Sequence, residues 1–265
     1  MINLVALPCL CVDVFDGTDE LYAGGEALNF AVHASKFEEF NVSILGAVGQ
    51  DSYAKFIMDS VSDKRIDVSH VRVEEDKVTA NNRTYLTADG DRYYKDDSWT
   101  GDIVDKMILN QDELDFIKKS EVVFIHFWAG CFEQIIDLKK NNNFRLAVDF
   151  VEYRNFKEME KYAPYIDYFM ISGEKSILPI FEAFSEKYKG LFNVSLADKG
   201  SVTYYNGEKY FVQANKVKEV IDTTGCGDSY HAGFVCSHLI NGNIYEAMRV
   251  GTELATETLS HYGGF

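Results

Sequence analysis

Basic residues are scarce in this chain. Its 265 residues carry 26 Lys and Arg against 42 Asp and Glu, a formal charge of −16. So acidic a protein is not expected to bind nucleic acid or an anionic membrane. Proline is scarcer still, at 3 residues, and no low-complexity stretch occurs, which argues against disorder and long linkers. No apolar run reaches the roughly 18 residues that a membrane span requires. The opening Met1-Ile2-Asn3-Leu4-Val5 lacks the basic stretch of a secretory leader. Cys9, Cys11, Cys131, Cys226 and Cys236 are odd in number and scattered, which fits a reducing, cytoplasmic setting better than a disulfide framework. Cys9 and Cys11 have no second pair at zinc-like spacing, and no His-x-x-x-His occurs, so no zinc site is expected.

What is present is an ordinary globular balance, 46% hydrophobic and 26% charged, on a chain long enough for a sizeable core. Short apolar runs at 2–7, 41–48, 122–127, 144–150, 168–171 and 191–196 read as buried strands. Ala27, Phe30, Ala31, Ala34 and Phe37 recur at helical spacing, and 52–61 reads as a second helix. The alternation predicts one α/β domain over 1–265, a mainly parallel sheet with helices on both faces. Two places break it. Residues 12–23, with a hairpin of 78–86 and 92–94 turning at Asp89-Gly90, predict a small β-sheet lid from about 10–24 and 77–100. A second hairpin turns at Asn206-Gly207, and 227–240 and 244–262 read as two closing helices. A parallel sheet gathers ligands at the carboxyl ends of its strands.

The most informative stretch is Asp222-Thr-Thr-Gly-Cys-Gly-Asp228, between a β-rich run at 217–221 and a helix signal from Ser229. Two glycines around one small residue allow a sharp turn whose amides converge at a helix N-terminus, where they and the helix dipole attract anions. Asp228 lies beside that turn, within reach of whatever group meets a bound phosphate. Cys226 contributes only its amide and is not read as a nucleophile. Upstream, Gly24-Gly25-Glu26-Ala27-Leu28-Asn29 couples a close backbone approach to an amide side chain that both donates and accepts, a combination suited to a polyol.

The 222–228 pattern resembles the signature of the ribokinase/PfkB family of carbohydrate kinases. The 24–29 segment resembles that family's Gly-Gly-x-x-x-Asn, and Ser195-Leu-Ala-Asp-Lys-Gly200 its Leu-Gly-x-x-Gly stretch, with Ala197 in place of the first Gly. The resemblance implies a ribokinase-like three-layer α/β/α sandwich with a lid, and phosphoryl transfer from ATP to a primary sugar hydroxyl. By the same resemblance Asp228 is the catalytic base, and Gly225, Cys226 and Gly227 form the anion hole. Asp13, Gly24, Gly25 and Asn29 would hold the sugar, with Asp13 expected near the end of the first strand. Ser195, Leu196 and Gly200 would meet the nucleotide, whose adenine would rest near the last two helices. Glu174, in a neighbourhood that departs from the family's Asn-x-x-Glu, is its candidate for organising Mg2+. Asp222 and Thr224 would border a monovalent cation, K+. A homodimer through the lid is also implied. Within the family, the short length, the 24–29 segment and the ending His261-Tyr-Gly-Gly-Phe265 are most similar to bacterial fructoselysine 6-kinases. Other sugar or nucleoside kinases remain the alternative, as does a catalytically silent binder of sugar or nucleotide.

Two further residues are open. Asp149 matches the first position of a family Asp-x-Asn in which Val151 replaces Asn; it faces the active edge or caps the next segment. Trp128, after a predicted strand, is expected in the core, the other reading being contact with a substrate tail.

Overall fold

The computed structural model describes residues 1–17, 20–86, 92–93 and 95–265. In chain order the first half contains β1 (Ile2–Leu7), β2 (Cys11–Phe15), β3 (Leu21–Gly24), α1 (Glu26–Ala34), β4 (Phe40–Gly49), α2 (Ser52–Ser60) and β5 (Ile66–Glu74). Then come β6 (Asn81–Leu86), β7 (Arg92–Tyr93), β8 (Trp99–Thr100), α3 (Asp102–Asp105), α4 (Gln111–Ile117) and β9 (Val122–His126). The second half contains α5 (Phe132–Lys139), β10 (Arg145–Asp149), α6 (Phe156–Tyr162), β11 (Tyr168–Ser172), α7 (Leu178–Lys187) and β12 (Leu191–Ser195). It closes with β13 (Ser201–Tyr205), β14 (Glu208–Val212), α8 (Cys226–Asn241) and α9 (Ile244–Thr258).

Nine strands form one sheet in the order β14-β13-β12-β11-β10-β9-β1-β4-β5. Every pairing from β12 to β5 is parallel, and β13 and β14 add an antiparallel edge. Successive side chains on a strand face opposite ways, so a central strand buried on both faces must be apolar throughout. β1 shows this: Leu4 and Ala6 enter one core with α1, α2, α8 and α9, while Val5 and Leu7 enter another with α4 to α7. The result is a three-layer α/β/α sandwich.

A second, small sheet runs β3-β2-β6-β7, with β8 also paired to β6. β2 to β3 is antiparallel, and Asp13 stands opposite Tyr22. The β6–β7 hairpin pairs as expected, Tyr85 to Tyr93. Its proposed Asp89-Gly90 turn lies outside the described residues.

Two strand assignments need correction. β5 is a true edge strand that the sequence reading omitted. Residues 217–221 were read as β-rich, yet they carry no strand; Val217, Val220 and Ile221 are exposed instead. Asp13 stands in β2 of the small sheet, within the 10–24 stretch expected to form the lid, just beyond the end of β1.

Candidate active site

Three distant segments meet at the N-terminus of α8. Phe30 of α1 stacks on Phe124 of β9, centroids 3.8 Å apart, which fixes α1 against the sheet and holds the neighbouring Asn29 inward. Asn29 is 3% exposed and donates Nδ2–H to Asp228 Oδ2 at 2.8 Å. Asp13 closes the group from the small sheet. A side chain on Gly24 would begin 2.9 Å from Asp13 Oδ2 and 3.8 Å from Asn29 Oδ1, so only a glycine fits between them. Gly25 caps α1 with φ 103°. Asp13, Gly24, Gly25, Asn29 and Asp228 are therefore brought together, although 199 residues separate Asn29 from Asp228.

The turn before α8 is built as a helix start. Gly225 is its N-cap in the left-handed region, φ 71°. Its carbonyl accepts the first helical bond, from Ser229 N at 2.8 Å, so the amides of Gly227 and Asp228 precede the ladder. No atom lies within 4 Å of where a Gly227 side chain would begin. The Cys226 amide is directed differently: it donates to Thr223 O at 3.3 Å, inside the turn. Asp222 braces the turn, accepting from Thr224 N at 2.9 Å, Thr224 Oγ1 at 2.8 Å and Gly263 N at 3.0 Å.

Asp228 is held well above the ordinary carboxylate range, first by burial and then by the negative charge of Glu26; Asp149 and Asp13 push the same way, and the Asn29 hydrogen bond opposes them. Glu26, on the first turn of α1, escaped the sequence reading as an electrostatic partner because its distance from residue 228 hides the contact. Asp149 bonds locally and also reaches α8. One oxygen accepts Val151 N at 2.8 Å in a local turn, and the other lies 3.4 Å from His231 Nδ1, three residues beyond Asp228 on α8. His231 is fully buried and was not singled out by sequence.

The nucleotide candidates occupy the neighbouring strand ends. Ser195 ends β12 and donates to Ser172 Oγ at 3.1 Å; Leu196 is buried; Gly200, with φ 91°, returns the chain into β13. Tyr230 ties this edge to α8, accepting Asn193 Nδ2–H at 3.0 Å and donating to Ser201 Oγ at 2.9 Å. Next to the Asp222 turn, Val217, Lys218, Ile221, Thr256 and Leu259 line a cavity of about 380 Å³, within the size range of small-ligand sites.

Glu174 stands apart from the buried carboxylates. It is exposed after β11, and its Oε1 accepts from Ser176 Oγ at 2.8 Å. No cluster of three His, Cys, Asp or Glu suited to a metal occurs among the described residues. Trp128 is 54% exposed, against the expected core position, and packs edge-on against Tyr153. Among the described residues no helix is long and apolar enough to cross a membrane.

A Gly-rich helix start with a buried acid, the converging side chains of Asp13 and Asn29 and a neighbouring cavity thus share one edge of the fold. A profile of the pfkB family of carbohydrate kinases matches residues 16–264, and the chain belongs to that family. It is an ATP-dependent carbohydrate kinase. It is 25% identical over 258 residues to a Shigella flexneri fructoselysine 6-kinase, with 96% of each chain covered. It is 24% identical over 271 residues to the Bacillus subtilis fructosamine kinase FrlD, covering 99% of this chain and 93% of that one. Among solved structures, a double-mutant fructokinase from Vibrio cholerae, bound to fructose, ADP and potassium, superposes with a TM-score of 0.79. That match has 17% identity and covers 100% of this chain and 94% of the other, which establishes the ribokinase-like fold.

Proposed function

We propose that the chain phosphorylates a primary hydroxyl of a fructosamine of the fructoselysine type, with Asp228 as general base. The observation that supports this reading is the buried Asn29–Asp228 hydrogen bond at 2.8 Å, which joins an acid at the helix start to the 24–29 segment. Asp228 would accept the hydroxyl proton as that oxygen attacks the γ-phosphorus and the bond to the departing ADP oxygen breaks. Transfer of this kind proceeds through a loose transition state, so position and charge stabilisation dominate. The amides of Gly227 and Asp228 would meet the phosphoryl oxygens, with Gly225 and Cys226 shaping the turn. Asp13 and Asn29 Oδ1 would accept sugar hydroxyls. Ser195, Leu196 and Gly200 would border the phosphates and ribose, and the cavity beside Thr256 the adenine.

Mg2+ shields phosphate charge in such reactions and requires few protein ligands. The lone exposed Glu174 and the absence of a ligand cluster among the described residues fit an ion held mainly by phosphates. A monovalent cation beside Asp222 and Thr224 belongs to the same reading. The Asp222 carboxylate already accepts from Thr224 N, Thr224 Oγ1 and Gly263 N, so backbone carbonyls of the turn would supply most of the coordination. Pairing of two chains through the open edges of the small sheet completes the proposal.

The fructosamine assignment draws on the names of the two sequence relatives. A coupled ADP assay over fructoselysine, fructose, ribose and nucleosides, with and without potassium, tests it. Turnover confined to fructoselysine is the expected result. Faster turnover of ribose or a nucleoside would transfer the assignment to that substrate, and equal rates without potassium would remove the cation. Asp228→Asn should lower kcat by about 10²–10⁴ while leaving sugar affinity intact.

A further inference from the structure

Residues 263 and 264 pack against the surroundings of Asp228. Gly263 and Gly264 are both buried. His33 lies one turn beyond Asn29 on the same face of α1 and donates Nε2–H to Gly264 O at 2.8 Å. Gly264 touches two parts of the site. A side chain on Gly225 would begin 2.5 Å from Gly264 Cα, and one on Gly264 would begin 2.3 Å from Asn29 Oδ1 and 2.7 Å from Asn29 Nδ2. Asn29 Oδ1 has no hydrogen-bond partner among the described residues. The plane of this carboxamide is therefore set by its one bond to Asp228 and by the backbone packed behind it.

We propose that Gly264, clamped by His33, is a positioning residue that holds the Asn29 carboxamide on Asp228. The inference rests on the reading of Asp228 as the base, and it makes Gly264 part of the machinery that sets the base's proton affinity. The Asn29 hydrogen bond favours the ionised form of Asp228. The other groups facing Asp228 are Glu26 on α1, Cys11 and Asp13 on β2, and Asp149 at the end of β10, which itself lies against His231 of α8. None of these is altered by a substitution at residue 264.

The test is Gly264→Ala, read by titrating the Asp228 carboxyl in protein carrying 13C-labelled aspartate, with Asp228→Asn identifying the signal. The expected result is a proton affinity raised about tenfold, the worth of one charge-assisted hydrogen bond. The acid limb of kcat/KM should move to higher pH by the same amount. Asn29→Ala should reproduce the shift, and Gly264→Ala should add nothing to it in that background. His33→Gln, which keeps a donor, should titrate as wild type, whereas His33→Leu should not. If Gly264→Ala does not fold, deletion of residues 264 and 265 removes the same backing and should give the same shift. An unchanged Asp228 titration in a folded variant, or additive shifts in the double variant, overturns the positioning role. Because the titration needs no turnover, a shift in a chain without kinase activity would remove the base assignment alone.

Discussion

Acid should release the C-terminal segment at a point set by His33. The ring is 1% exposed, and burial pushes its pKa down from the usual 6.5 to about 4; the Gly264 carbonyl and Glu257 pull upward, while Lys36 and His261 push down. The neutral ring donates from Nε2, and protonation would add an N–H at Nδ1, where no partner exists among the described residues. The folded state thus binds fewer protons than the unfolded chain between these two values. The stability linked to His33 is present in full above 6.5 and is lost as pH falls through about 4. Two-state linkage gives a loss of about 2 kcal/mol by pH 5 and about 3 kcal/mol by pH 4. Asp228 works in the opposite direction, since its raised pKa makes acid favourable to the fold. Comparison with His33→Gln cancels that contribution, because glutamine keeps a donor and does not titrate. Urea unfolding of both proteins from pH 7.5 to 4 measures the difference. Parallel stability curves across that range would refute the reasoning.

Asp228→Asn should raise the melting temperature at pH 8, because it removes a buried charge that folding disfavours while still accepting the Asn29 N–H; the gap should close in acid. A scanning fluorimetry series in pH reads this, and a variant less stable than wild type at pH 8 contradicts it. Thr256→Trp should fill the cavity beside the Asp222 turn and raise KM for ATP about tenfold with the sugar KM unchanged. Steady-state kinetics varying each substrate separates the two. Val151 has φ 51°, the left-handed region, where a β-branched side chain is strained and asparagine is tolerated. Val151→Asn should therefore stabilise the fold by about 1 kcal/mol, measured by chemical unfolding; destabilisation would show that the valine side chain contributes more by packing than it costs in strain.

What the sequence disclosed follows the range of the forces involved. The strands of the two-faced sheet were legible because burial on both sides demands an unbroken apolar run, as at Leu4 to Leu7. β5 escaped because its alternation changes phase: Ile66 and Val68 occupy even positions, Val71 and Val73 odd ones, and the pairing with β4 slips between Ser43 and Leu45. Residues 217–221 misled for the opposite reason. Their β-branched composition suits a strand, but Val217 and Ile221 stand exposed at the rim of a surface depression, with no neighbouring strand beside them among the described residues. Trp128 misled likewise, since aromatic character says nothing about which side of a strand end the chain leaves by. The Gly225–Asp228 turn was readable because its geometry is encoded within a few residues. The surroundings of Asp228 were not, because Glu26 reaches it across the fold and His33 meets Gly264 over 231 residues. Local sequence specified the acid and the turn; the proton affinity of that acid belongs to the assembled centre, which is why the substitutions that test it most sharply lie at residues 29, 33 and 264.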